Sequence, residues 1–114
     1  MIHGFLKACT VSPALRVADC AFNTQQTIAA MQRAALDGAQ LAVFPELGLT
    51  GYTCGDLFFQ QPLQRAAAKG LAAVLEASAG LDLVALVGLP VAVDGKLYNL
   101  SLIHISEPTR LDVI

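Results

Sequence analysis

The apolar positions change period along the chain, and each change marks an element. "FLKACTV", Phe5 to Val11, is an apolar-rich run stopped by Ser12-Pro13 and is predicted as a first strand. Thr24, Ile28, Met31 and Ala35 then recur near helical spacing. A helix is expected from a cap at Asp19 to about Asp37, with Gly38 as its stop. "LAVFP", Leu41 to Pro45, is nearly continuous in apolar residues, which suits a short strand covered on both faces. A glycine-punctuated loop follows. Pro62 is placed to open a second helix that runs to about Ala79, with Leu63, Ala67, Leu71, Val74 and Leu75 on its buried stripe and Gly80 closing it. "LDLVALVGLPV" is predicted as a third, central strand. Asp94-Gly95, set between "VAV" and "KLYNL", is a two-residue hairpin signal. The order of strand, helix, strand, loop, helix, strand and hairpin predicts an α/β chain with helices packed on a sheet. There is no internal repeat.

The pattern divides the chain at residue 100. In "SLIHISEPTRLDVI", residues 101–114, the alanine-rich character of the body stops. Leu100 to Ile105 can form the second arm of the hairpin, and Ser106-Glu107-Pro108-Thr109 is expected to turn. Nothing encoded after Ile114 would cover the sheet edge left behind. The segment is expected to be unrelated to the body, an artefactual tail.

Composition excludes several classes of function. With 114 residues the chain suits one small domain, and 55% hydrophobic against 14% charged content excludes disorder for the bulk. The formal net charge is −2 without a basic block, so no nucleic-acid partner is expected. No apolar run reaches spanning length and the first residues lack a signal-peptide pattern, so neither a membrane nor an export route is expected. Cys9, Cys20 and Cys54 are odd in number and widely spaced, which argues against a disulfide framework or a metal site and fits a reducing, cytoplasmic setting.

The candidate chemistry lies in "LAVFPELGLTGYTCGDLF", residues 41–58. Glu46 is set among six apolar residues, Leu41 to Pro45 and Leu47. A carboxylate there needs a partner or a task. Just beyond a strand end, where α/β proteins place their sites, a partly desolvated Glu46 can serve as a general base. It can equally brace its loop. Gly48, Gly51 and Gly55 match neither a dinucleotide fingerprint nor a phosphate loop and read as turn-makers. Tyr52 either lines a ligand site or anchors its own loop. Cys54 has no histidine placed beside it and reads as a small buried thiol. Asp56 is expected to cap the turn into "LFFQ". His3 and His104, near opposite ends of the chain, have no joint role.

Taken together, "AVFPELGLTGY" resembles the glutamate motif of the nitrilase, or carbon–nitrogen hydrolase, superfamily. "GAQLAVFPE", "GLTGYTCGDLFFQ" and "GLPVAVDGKLYN" extend the likeness toward the glutaminase domains of bacterial glutamine-dependent NAD synthetases, over residues 4 to about 99. The resemblance implies an α-β-β-α sandwich, of which this chain would be a truncated half. It implies a catalytic glutamate, lysine and cysteine: the cysteine attacks the carboxamide of glutamine, the glutamate is the base, and the lysine steadies the tetrahedral intermediate. Glu46 matches the family glutamate, and Tyr52 matches a tyrosine lining the glutamine site.

The family lysine and cysteine follow the hairpin, and neither Lys7, Lys69 and Lys96 nor the three cysteines stand in those motifs. The resemblance therefore implies a fragment that is inactive by itself. It also implies glutamine as substrate, no cofactor in this part of the chain, and a synthetase domain elsewhere that uses ATP and Mg and joins a homo-oligomer. Two other readings stand beside it. One is a piece of another amidase of the superfamily. The other is a non-catalytic α/β binding module that holds a partner with the "GLTGYTCGD" loop.

Overall fold

Asp19 starts the first helix by the expected device: its Oδ1 accepts from the backbone N–H of Phe22 at 3.0 Å. The computed structural model describes residues 4–105 and 110–113, with side chains to residue 101. The elements are β1 (Ala8–Thr10), α1 (Cys20–Leu36), β2 (Leu41–Val43), a 3-10 turn (Gly55–Phe59), α2 (Gln61–Ser78), β3 (Val84–Val93), β4 (Lys96–Ile105) and β5 (Arg110–Val113). The sheet order is β1-β2-β3-β4-β5, so β3 is central as the sequence predicts. β1, β2 and β3 are parallel, while β4 and β5 are antiparallel additions.

β1 is shorter than the expected Phe5–Val11, and Phe5 and Leu6 are exposed. Its partner sets the limit. Ala8 to Thr10 pair with Leu41 to Val43, and β2 has only those three residues. β2 in turn ends where Pro45 supplies no N–H to continue the ladder. Asp94 and Gly95 both have positive φ, as a type I′ hairpin turn requires, and the pairing runs from Val93–Lys96 to Val84–Ile105. β4 therefore includes the second hairpin arm expected from Leu100 to Ile105, and β5 pairs with it from Leu102–Val113 to Ile105–Arg110. The ten residues of β3 offer ladder partners whatever side chains the next strand carries. The turn expected at Ser106 to Thr109 lies outside the described residues, as does His3.

The core lies between the helix pair and one face of the sheet. Ala42, Ala85, Val87 and Leu89 cluster with Met31, Leu63, Ala67 and Val74, all buried. The α2 stripe is Leu63, Ala67, Gly70, Val74 and Ser78, with Leu71 half-buried beside it, close to expectation. The α1 face is centred one position from the expected one: Thr24, Thr27, Met31 and Ala34 are buried, while Ile28 and Ala35 are half-buried. β2 departs from the expected double cover. Ala42 is fully buried, but Leu41 and Val43 are only partly so, together with Val84 and Leu86 on the same face. Both helices contribute to the single core on the other side, which leaves this face with partial cover among the described residues.

The two helices meet at Gly70. A Cβ there would fall 2.3 Å from Thr24 Oγ1, itself a buried hydroxyl without a hydrogen-bond partner among the described residues. Gly70→Ala should destabilise the fold by roughly 1–3 kcal/mol through overpacking. Thr24→Ala, which clears the space, should restore part of the loss in the double variant. Denaturant midpoints of the three variants check both expectations.

Candidate functional site

The stretch after β2 is a series of turns laid against β3. Phe44 N–H donates to Leu86 O at 3.0 Å and Leu49 N–H to Gly88 O at 3.2 Å, so the chain stays beside β3 after the regular ladder has ended. Between these bonds Glu46 and Leu47 arch over Gly88. A Cβ on Gly88 would lie 2.6 Å from Leu47 N, 2.9 Å from Pro45 O and 3.2 Å from Glu46 Cα. These are backbone atoms, so no side-chain adjustment can make room. Leu47 itself takes a positive φ of 52°, and its carbonyl accepts from the N–H groups of Thr50 and Gly51 at 3.2 and 2.9 Å.

The far side of the loop is tied to the segment before α1. Asn23, fully buried, accepts from Arg16 N–H at 2.7 Å and donates to Arg16 O at 2.8 Å and to Leu49 O at 3.2 Å. Ala18 N–H donates to Thr50 O at 2.7 Å. The buried thiol of Cys54 turns back onto Thr50 O at 3.2 Å. Asp56 does not cap the next turn as expected. It lies inside the first turn of the 3-10 segment, and the cap position falls to Cys54, whose thiol is already directed into the loop.

Glu46 lies three residues beyond β2, past the C-terminal ends of β1 and β2 and over the middle of β3. It is exposed rather than partly desolvated, which corrects the sequence expectation. The apolar residues that flank it in sequence turn inward instead: Phe44, Leu47 and Leu49 are buried, and the carboxylate is left on the outside of the arch. Its Oε1 accepts from Asn99 Nδ2 on β4 at 2.5 Å. Asn99 also lines a depression of about 220 Å³ with Leu47, Phe58, Pro90, Leu97 and Tyr98. The carboxylate is thus bonded to a residue that lines a largely apolar hollow. Tyr52 is 69% exposed and makes no hydrogen bond to Glu46 among the described residues.

The other candidate groups lie elsewhere. Lys7 Nζ donates to Asp37 O at the opposite end of the strands. Cys20 is buried, and desolvation pushes its thiol up to about 11, with Cys54 and Asp19 adding to the shift. No group of three His, Cys, Asp or Glu side chains among the described residues is arranged to hold a metal ion. No described helix is long and apolar enough to cross a membrane.

Three residues that shape the site carry no role in the sequence reading: Gly88, Asn23 and Asn99. Gly88 had a signal, since a glycine inside an apolar strand marks a close backbone approach. Asn23 sits in the first turn of α1 with only its polarity to notice. Asn99 lies 53 residues from its partner, a pairing that only the β3–β4 register creates.

Residues 7–111 match the carbon-nitrogen hydrolase family. The chain belongs to that family. Among its relatives, the glutamine-dependent NAD(+) synthetase of Mycobacterium tuberculosis is 33% identical over 101 residues, which is 89% of this chain and 15% of that protein. The chain therefore spans about 15% of the length of the curated relatives it matches first. The solved glutamine-dependent NAD+ synthetase of Acinetobacter baumannii superposes with a TM-score of 0.84 at 25% identity, over 96% of this chain and 20% of that one. An amidase from Nesterenkonia sp. superposes at 0.70 with 19% identity, over 92% and 40% of the two chains, and shares the fold. The chain is a part of the nitrilase-type α/β fold, as the sequence resemblance implies.

Gly88→Ala should displace the arch that carries Glu46. A loss of roughly 1–3 kcal/mol is expected from the backbone overlap, measured as a lower denaturant midpoint. The raised value for Cys20 gives a separate expectation. At pH 8 about one Cys20 in a thousand is thiolate, and only the thiolate is alkylated. Iodoacetamide should label the half-exposed Cys9 first in the native protein, with Cys20 and Cys54 reacting only after unfolding. Peptide mapping of the labelled sites reads the order.

Proposed function

We propose that this chain is part of a glutamine amidohydrolase domain that supplies ammonia for ATP-dependent NAD synthesis, and that Glu46 is its general base. The observation that carries the reading is the placement of Glu46. The residue matching the family glutamate stands just beyond the C-terminal end of β2, on an arch fixed by β3, with one carboxylate oxygen free of hydrogen bonds among the described residues. The relatives that support glutamine as the substrate are the NAD synthetases. In the reaction the base takes the proton of a cysteine thiol. The sulfur then attacks the carboxamide carbon, the base returns the proton to the leaving nitrogen so that ammonia departs, and water cleaves the thioester to free the cysteine and the acid. The exposed ring of Tyr52 is assigned to the glutamine side of the site.

The 114 residues alone should not complete this reaction. Cys20 and Cys54 are buried, Cys54 is bonded to its own loop, and Lys7 is at the other end of the strands. None of these pairs with Glu46 among the described residues. The nucleophile and the lysine are assigned to the longer protein, together with the synthetase part that uses ATP and Mg, in a cytoplasmic homo-oligomer. A second reading is a piece of another amidase of the superfamily, since an amidase shares the fold.

Glu46→Gln in the protein completed to the length of its relatives keeps the shape of the side chain and removes the proton acceptor. Ammonia release from glutamine should fall by about a hundredfold to ten-thousandfold, the usual contribution of a general base. Turnover near the parent level would reduce Glu46 to a bracing role. Assaying the parent with glutamine and with aliphatic amides separates the two enzyme readings, and glutamine bound but left intact would favour the binding module.

A further inference from the structure

We infer that Asn99 is the positioning residue for the Glu46 carboxylate. The inference rests on the reading of Glu46 as the general base and deepens it. Glu46 is exposed and sits at a turn, where a glutamate side chain samples several rotamers. Asn99 Nδ2 donates to Oε1, and no other hydrogen bond among the described residues reaches the carboxylate. The amide must present its nitrogen here, because its oxygen would face the carboxylate acceptor to acceptor.

The two residues reach each other from different elements. Glu46 rides on the arch over Gly88, and Asn99 is held in register opposite Pro90, two residues further along the same strand. β3 therefore sets both ends of the hydrogen bond. One oxygen is tethered by a neutral donor, which leaves Oε2 free to accept a proton, and the donor Asn99 itself lines the hollow with Leu47, Phe58, Pro90, Leu97 and Tyr98. Asn99 does not touch the reacting atoms; it acts through Glu46. The expected signature is a fall in kcat without a matching change in KM, since the tether fixes the base rather than the substrate.

The experiment compares parent, Asn99→Leu, Asn99→Asp, Glu46→Gln and the Asn99→Leu/Glu46→Gln double variant in the protein completed to the length of its relatives, with ammonia release from glutamine as the readout. Asn99→Leu should lower kcat by roughly ten- to a hundredfold, the range for one hydrogen bond to a charged group. KM should stay within about threefold of the parent under the same reasoning. Asn99→Asp preserves the shape, replaces the donor with a like charge, and should lose at least as much. In the Glu46→Gln background Asn99→Leu should cost little further, because the group it positions is gone. Full kcat in either Asn99 variant, a rise in KM alone, or equal losses in both backgrounds would overturn the assignment. If Glu46→Gln itself keeps parent turnover, the base reading fails first. If Glu46→Gln is crippled while Asn99→Leu is normal, the base reading stands and the positioning role is wrong.

Discussion

The backbone overlap at Gly88 is the constraint on which the site depends. A strand residue with any side chain would hold the Pro45–Leu47 arch away from the sheet, since the nearest atoms are main-chain N, O and Cα. With hydrogen there, the arch settles onto β3, and Leu49 takes the carbonyl of Gly88 as its hydrogen-bond acceptor. The bond satisfies backbone groups that the short β2 leaves without a partner once Pro45 has ended the ladder. Position and satisfaction come from the same close approach, so the place of Glu46 is decided by main chain.

A second set of bonds holds the loop from the other side. Asn23 is a polar residue at zero exposure, and that burial is tolerable because both ends of its amide are used. It ties Arg16 and Leu49, segments 33 residues apart, to the first turn of α1. Ala18 adds a backbone bond to Thr50. The glutamate loop is thus gripped between the central strand and the start of the first helix, and its apolar members fill the space between. This explains why Leu49 is fully buried in a stretch without regular secondary structure.

Local chemistry made much of this fold legible. Asp19, Pro62 and Asp94-Gly95 each act through neighbours a few residues away, and each stands at or within a residue of its expected place. The glutamate motif was equally readable, because a charged residue in an apolar run is conspicuous. Long-range pairing was less so. β1 is cut short by the length of β2, and Glu46 is exposed because its neighbours turn inward, which the apolar composition of the run cannot distinguish from burial. The continuation of β4 to Ile105 is the hairpin arm expected from Leu100 to Ile105, and the open ladder of β3 gives it its partners. Gly88 and Asn99 become meaningful only once β3 is known to lie beneath the loop and beside β4.

The exposure of Glu46 is compatible with the proposed general-base role, because position and solvation arise from different parts of the fold. The Cα is fixed by the Gly88 approach and the side chain by a bond to β4, and neither requires that the carboxylate be covered. Solvation depends on whatever faces the hollow and the half-covered strand face of Leu41, Val43, Val84 and Leu86. A carboxylate placed by backbone geometry stays hydrated for as long as nothing covers it. The desolvation penalty of the charge is met only when other groups close over it.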